Sequence, residues 1–333
     1  MHRLLLILVA AMTLSAAEYK IKASPETVVW GYYWAGAKPV LTVKSGDVVE
    51  MQTVSGIPQA LERAGIPPDQ VQPELRKIRT EPPKDRGPGP HLLTGPVAIE
   101  GAMPGDVLEV RIREIRMDVP YAANTPGIAG FLSDAFPIGA TKIIWLDRDR
   151  LIGHFAPNVD VPLKPFFGSM GVAPADGAGK ISSGPPGRYA GNLDNKELVA
   201  GTTLFIPVLA QGALFEAGDG HAGQGDGEVN ITAMETSLTG VFQFILHKNV
   251  NLKWPRAETP THYIAMGLDP DLTQATRICV FETVDFLVNN MKLTREDAYA
   301  LTSVAIDLRI TQLVDGTKGV HAMIPKSLFT APR

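Results

Sequence analysis

The stretch DVLEVRIREI, residues 106–115, decides the fold class of this chain. Within it apolar and charged side chains alternate strictly: Leu108, Val110 and Ile112 against Glu109, Arg111 and Arg113. A period of two places the apolar set on one face and the charged set on the other, as in a half-buried β-strand. The turn Pro104-Gly105-Asp106 precedes the strand.

Shorter strand patterns occur on both sides of this stretch. They are rich in β-branched and aromatic residues and cover residues 27–34, 40–43, 47–54, 141–146, 202–208, 241–246 and 320–324. The 32 glycines and 27 prolines favour many turns. We therefore predict an α+β, mainly β protein, in which short strands form a sandwich or a distorted barrel. Residues 118–140 lack periodicity and are predicted to form a loop beside a cleft.

The last quarter of the chain predicts helices. Residues 269–291 are mostly apolar and predict a buried helix, and Thr294 followed by Asp297 is a helix-start signature. We expect a β-rich body over residues 18–260 and a C-terminal helical, α+β portion over 261–333 that packs on it.

Residues 56–90 interrupt the strand pattern with eight prolines among charged residues. They predict a long surface excursion with one short helix near residues 73–79. An insertion of this length in a compact domain is usually functional or mobile.

The first 17 residues predict a signal peptide. A basic start is followed by an apolar run from Leu4 to Leu14 and by the small residues Ser15-Ala16-Ala17. We expect cleavage after Ala17 and an exported protein, periplasmic or secreted, with no membrane contact after cleavage. No later stretch reaches the roughly 20 apolar residues of a membrane helix.

The overall charge and the cysteine count exclude several classes. Lys and Arg number 31 against 35 Asp and Glu, so no basic excess is available for a nucleic-acid backbone. A single cysteine, Cys279, excludes an intramolecular disulfide framework and a Cys-rich metal site. Because Cys279 lies in the apolar helix, we expect it to be an inert packing residue.

The densest polar cluster is residues 218–228, GDGHAGQGDGE. Asp219 and His221 are two apart, so extended backbone places both on one face. Together they suit Zn²⁺ or a similar divalent ion. The alternative is a glycine-rich solvent loop with a spare histidine.

Two further segments offer candidate ligands. Asn192 and Asp194 have the same two-residue spacing and could complete a site begun by Asp219 and His221; the alternative is an Asn/Asp turn. His91 is a candidate ligand or base, although a histidine beside apolar residues is often a hydrogen-bonded core residue.

Several of these segments resemble the acetamidase/formamidase family. They are residues 91–102, 191–194, 218–228, 307–312 and 319–321, and the resemblance runs from about Thr27 to Phe329. It implies hydrolysis of short amides to a carboxylate and ammonia, by a homo-oligomer, for which we expect a dimer. It also implies a β-rich body, C-terminal helices and a divalent metal ion, for which we prefer Zn²⁺. Family members are commonly cytoplasmic, whereas this chain begins with an export signal.

The resemblance and the clusters together suggest a role for each candidate residue. The metal ligands would be Asp194, Asp219 and His221, with Asn192 as an extra oxygen ligand or an anchor for the substrate amide. Glu228 or Glu235 would carry the proton to the leaving nitrogen, and His91 would be a base. Glu235 could equally be an exposed charge at the end of a strand.

Two other functions remain open at this stage. The first is an exported, non-catalytic protein that binds a small molecule or a metal on the same fold. The second is an amidase for a larger amide, with residues 56–90 as a lid or subsite.

Overall fold

The computed structural model describes residues 16–127, 129–136 and 139–329. The predicted signal peptide therefore lies outside the described residues over positions 1–15. No described helix is both long and apolar enough to cross a membrane.

In these ranges the chain is mainly β. Its strands are β1 (Glu18–Ile21), β2 (Val28–Trp30), β3 (Tyr32–Tyr33), β4 (Leu41–Val43), β5 (Val48–Gln52), β6 (Leu92–Ile99), β7 (Val107–Met117), β8 (Tyr121–Asn124), β9 (Lys142–Asp147), β10 (Ile152–Ala156), β11 (Val159–Pro162), β12 (Phe166–Gly171), β13 (Ile181–Ser182), β14 (Ala190–Asn192), β15 (Thr202–Pro207), β16 (Phe215–His221), β17 (Leu238–His247), β18 (Arg256–Glu258), β19 (His262–Asp269), β20 (Asp307–Gln312) and β21 (Lys318–Pro325). The α-helices are α1 (Pro58–Arg63), α2 (Pro73–Thr80), α3 (Leu272–Met291) and α4 (Arg295–Ala305). Short 3₁₀ turns occur at Pro68–Gln70 and Lys326–Leu328.

Two large sheets form the body. One has nine strands in the order β1-β5-β17-β7-β15-β18-β19-β21-β20, and the other has the order β14-β12-β16-β6-β2 with β4 also paired to β6. Their facing apolar side chains share one core, in which Phe167 and Phe215 from the smaller sheet contact Phe242 from the larger at ring-centroid distances of 5.3 and 5.6 Å. The predicted mainly β, sandwich-like fold is confirmed.

Strand β7 lies inside the nine-stranded sheet between β17 and β15. The apolar residues that predicted it, Leu108, Val110 and Ile112, are at most 1% exposed. Glu109 is also buried, against the simple alternation, because Arg111 Nε and His247 Nε2 each lie 2.5 Å from its carboxylate oxygens.

The C-terminal helices cover one end of the larger sheet. The apolar face of α3 packs on β19 and β21, where Cys279 is fully buried. Thr294 caps α4 by accepting a hydrogen bond from the backbone N–H of Asp297, so the predicted helix start is confirmed.

The short helix predicted in the Pro-rich stretch is confirmed as α2, but the stretch also contains α1 and packs on the body instead of forming a surface excursion. Five apolar side chains of this segment are buried with Val28, Trp30 and Leu92 of the body: Leu61, Ile66, Val71, Leu75 and Ile78. Residues 118–140 form only part of the predicted loop, because Tyr121–Asn124 are strand β8 and pair with β9. In both segments tertiary packing orders a sequence that lacks a clear period.

Candidate metal centre

Strand β16 carries two of the predicted ligands. Asp219 has a left-handed backbone, with φ of 55°, and the side chain of His221 is completely buried. Nε2 of His221 lies 3.4 Å from Oδ2 of Asp219. The two residues therefore face the same point, as their spacing predicts.

Glu235 completes this first group from a different segment. It forms isolated bridges with both His221 and Ala123, and its Oε1 lies 3.3 Å from Nε2 of His221. Ligand atoms of Asp219, His221 and Glu235 all lie within 4.8 Å of one another. The carboxylate of Glu235 is thus part of the cluster, and only 17% of the Glu235 side chain is exposed.

A second group shares His221. Ligand atoms of Asp194, His221 and Glu228 also lie within 4.8 Å of one another, and all three residues are buried. Asp194 follows β14 in a left-handed conformation, with φ of 48°. The three predicted ligands, Asp194, Asp219 and His221, thus meet in one place but divide between two groups.

Gly168 on β12 is the point around which they meet. A Cβ atom added there would lie 2.5 Å from Oδ1 of Asp194, 2.6 Å from Oδ2 of Asp219 and 2.9 Å from Cε1 of His221. These distances are too short for any side chain, so only glycine leaves room for the three ligands.

Asn192 connects the cluster to a residue that sequence reasoning missed. Its amide Nδ2 donates to Oδ2 of Asp194 at 2.9 Å and to Oδ2 of Asp315 at 3.2 Å. Asp315 lies in the turn between β20 and β21, with φ of 60°. The sequence signal there was only an Asp-Gly dipeptide, which usually marks a turn.

Hydrogen bonds hold the rings of His221 and His91 each in the tautomer that carries its proton on Nδ1. His221 Nδ1 lies 3.0 Å from Oε1 of Gln224, whose Nε2 donates to the backbone carbonyl of Asp194. His91 Nδ1 lies 3.0 Å from the carbonyl oxygen of Ser183. Since both partners are acceptors, each Nδ1 carries a proton, and Nε2 faces the carboxylates; for His91 that distance is 3.7 Å to Asp219.

The cluster leaves buried polar atoms unsatisfied. Asn192 Oδ1, Asp194 Oδ1 and His221 Nε2 have no hydrogen-bond partner among the described residues. Buried polar groups almost always find partners, so atoms of this kind need an explanation such as an ion. Carboxylate oxygens with oriented imidazoles are a donor set for a divalent cation, and the residues present fit one.

The buried carboxylates of the cluster repel one another. Burial raises the pKa values of Asp194 and Glu228 well above their usual range. The charge of Glu228 adds to the effect on Asp194, and the charge of Asp315 adds to the effect on Glu228. Burial also raises the pKa of Asp315, to about 6. Burial would raise the pKa of Asp219 too, but His91 and His221 outweigh it and lower that pKa. A bound cation would relieve the repulsion among these groups.

The cluster opens into a cleft of about 620 Å³. One part of the wall consists of the polar residues just described: His91, Asn192, Asp219, Glu228, Glu235 and Asp315. Another part of the wall comes from Trp30 and from the Pro-rich segment, including Gly56, Arg79 and Arg86. Every predicted site residue is therefore at the cleft or directly behind it.

Comparison with known proteins identifies the class. The acetamidase/formamidase family model matches residues 33–182 and 180–331, nearly the whole chain. The chain belongs to the acetamidase/formamidase family, which confirms the resemblance found in the sequence.

Individual relatives agree with this. An acetamidase of Mycolicibacterium smegmatis is 28% identical over 200 residues, which cover 42% of this chain and 49% of that protein. The chain thus spans about half the length of the curated relatives that it matches. The crystal structure of an acetamidase from Yersinia enterocolitica is 26% identical, with a TM-score of 0.83 and coverage of 96% of this chain and 95% of that one. An acetamidase from Bacillus halodurans is 29% identical, with a TM-score of 0.77 and coverage of 93% and 98%.

Proposed function

We propose that this protein is a metal-dependent hydrolase that cleaves the C–N bond of short linear amides, giving a carboxylate and ammonia. One observation carries the proposal: two histidines with oriented Nε2 atoms and several carboxylates meet at the base of one cleft. Membership of the acetamidase/formamidase family supports amides as the substrates. The relatives named acetamidase support the same choice.

His221 would be the central ligand, because both groups of candidate ligands contain it. Asp219 and Glu235 would complete one set, and Asp194 and Glu228 the other. A divalent ion held there, preferably Zn²⁺, would polarise the amide carbonyl and lower the pKa of a bound water to about 7.

The remaining residues would orient the substrate and move protons. Whichever of Glu228 and Glu235 is not a ligand can carry a proton to the leaving nitrogen, since both line the cleft. The Oδ1 of Asn192 is buried without a partner in the part of the chain that the structure describes, so it can accept a hydrogen bond from the substrate NH₂. His91 Nε2 is 3.7 Å from Asp219 and can accept a proton as a base.

The experiment that tests this proposal is an assay of the purified protein on formamide, acetamide and propionamide, with metal analysis of the same sample. We expect ammonia release that falls on treatment with a chelator and returns with Zn²⁺. A protein that binds metal but releases no ammonia from any amide would be the non-catalytic binding protein. The carboxylates beside the candidate ligands argue against that alternative, because binding alone does not need a proton carrier.

We further propose that the protein is exported and that its mature N-terminus is Glu18. Strand β1 begins at Glu18 and pairs with β5, so cleavage after Ala17 leaves the strand whole. Sequencing the N-terminus of protein from an exported fraction tests this, and intact Met1 in the cytoplasm would refute it.

The proposed homo-oligomer, a dimer, rests on the family resemblance and is tested by sedimentation.

A further inference from the structure

Two arginines that line the cleft contact the same indole ring. The guanidinium carbon of Arg86 lies 3.6 Å from the ring centroid of Trp30, and that of Arg79 lies 4.5 Å from it. Both distances are within the range of cation–π contacts. The two guanidinium carbons are therefore at most about 8 Å apart at the cleft.

Neither guanidinium has an acidic partner within the described ranges. The carboxylate next in sequence, Asp85, instead contacts Lys180 and accepts a hydrogen bond from Tyr32. Arg79 is fixed by its Nε and Nη2, which donate to the carbonyl oxygen of Gly56 at 3.1 and 2.7 Å. Two guanidiniums on one ring, without a carboxylate partner among the described residues, offer a site for an anion.

These arginines belong to the same cleft as the candidate metal centre. Trp30 lies on β2, and the backbone N–H of the next residue, Gly31, donates to the carbonyl of His91 at 2.8 Å. His91 in turn faces Asp219. The pairing of β2 with β6 therefore places Trp30, which both arginines contact, next to His91.

The size of the cleft also exceeds what the smallest amides need. Its volume of about 620 Å³ lies in the range that encloses drug-sized ligands. Formamide or acetamide would leave most of it filled with water, including the part beside the arginines.

We propose that Arg79 and Arg86 form a carboxylate subsite, and that the preferred substrate is an amide with a carboxylate at the end away from the scissile C–N bond. This rests on the proposed amide hydrolysis. Arginine binds a carboxylate through two parallel N–H···O bonds, and Trp30 limits the rotation of both guanidiniums. The subsite would set the orientation of the substrate, with its amide at the metal centre.

The test compares two amides of equal chain length on the zinc-loaded full-length protein. Glutaric acid monoamide carries the carboxylate, and pentanamide has a methyl group in its place. We expect a higher kcat/KM for the monoamide. In Arg86→Gln, the ratio of the two kcat/KM values should fall by about tenfold, the effect of losing one charged hydrogen bond, and Arg86→Lys should restore part of it.

Arg63→Gln is the matched control. Arg63 is an exposed residue of α1 in the same Pro-rich segment, and it does not line the cleft. Its replacement removes the same charge and should leave the ratio as in the unmodified protein. An unmodified enzyme that prefers pentanamide, or an unchanged ratio in Arg86→Gln, would overturn the subsite.

A direct binding measurement separates this proposal from the hydrolase proposal. Titration calorimetry with glutarate and with pentanoate requires no turnover. If glutarate binds more tightly than pentanoate, and Arg86→Gln removes that difference, the subsite is supported even where neither amide is hydrolysed. In that case the hydrolase proposal alone would fail. Equal binding of the two acids would overturn the subsite.

Discussion

Gln224 fixes the ring of His221: its Oε1 lies 3.0 Å from Nδ1 of the histidine, and its Nε2 donates to the backbone of Asp194 at 2.8 Å. A glutamine held at one end can present only its oxygen at the other. One side chain therefore determines the tautomer of His221, the candidate ligand shared by both groups, and connects the two segments that supply the candidate ligands.

Replacing this glutamine should weaken metal binding without removing any ligand. For Gln224→Leu we predict a loss of about 10–100-fold in affinity for Zn²⁺, the usual effect of deleting a hydrogen bond behind a metal ligand. Competition with a coloured chelator measures it. Gln274→Leu, on an exposed position of α3, is the control and should bind as the unmodified protein does. Unchanged affinity in Gln224→Leu would show that the tautomer is set elsewhere.

Loss of the shared ligand should abolish metal binding and activity together. His221→Ala removes the imidazole and leaves Asp219 and Glu235 facing each other, so we predict a metal-free, inactive protein. Metal content and turnover of short amides are measured on the same sample.

Cys279→Ala is the comparison that separates the metal mechanism from a cysteine nucleophile. Burial raises the pKa of this thiol to about 12, so it carries no thiolate at neutral pH. Its truncation should cost on the order of 1 kcal/mol of stability and leave metal content and turnover nearly intact. Abolished turnover with the metal retained would instead indicate a cysteine mechanism.

A single methyl group should disrupt the site sterically. In Gly168→Ala the new Cβ would lie 2.5 and 2.6 Å from carboxylate oxygens of Asp194 and Asp219. We predict a loss of turnover of about 100-fold or more, because displacements of about 1 Å at a catalytic site can cost this much. Gly225→Ala is the matched control, since a Cβ there meets no atom within 4 Å. Equal activity of both variants would refute the convergence around Gly168.

Away from the site, the carboxyl group of Asp118 should make the free energy of unfolding depend on pH. Burial raises its pKa to about 6, although Thr239 donates a hydrogen bond to it. A folded-state pKa above the unfolded value means that the folded protein binds the proton more tightly, so stability falls as the pH rises from about 4 to about 6. Asp118→Asn cannot ionise and should be more stable than the unmodified protein by about 1 kcal/mol above pH 7, after allowance for partial exposure.

Urea unfolding of both proteins at pH 4.5 and pH 7.5 measures this difference. At the lower pH the protonated aspartic acid resembles asparagine, and the two proteins should have similar stability. A difference that does not change between the two pH values would contradict the raised pKa.

Local patterns predicted those parts of the fold that one element determines alone. The alternation of residues 106–115 predicted β7, and Thr294 with Asp297 predicted the start of α4. The packing of the Pro-rich segment on the body was not predicted, because its apolar residues, such as Leu61 and Ile78, are spread among prolines and charges. Their burial depends on the strands they cover, and that surface is not visible in the segment itself.

In the candidate site, too, local patterns predicted only those contacts that lie within one element. The pair Asp219 and His221 was predictable because both lie on one strand. That Asp194 joins them could only be hypothesised, because its position depends on the pairing of β12 with both β14 and β16. Asp315 was missed entirely, since nothing in its turn distinguishes it from an ordinary Asp-Gly corner.

The packing of the Pro-rich segment on the body has a consequence for engineering. The candidate ligands come from the strands and loops of the sandwich, whereas Gly56, Arg79 and Arg86 of the Pro-rich segment line another part of the cleft. On the proposed function, replacing residues 56–90 by the corresponding segment of a relative, with the body residues they cover matched, should change the preferred amide and leave every candidate ligand in place.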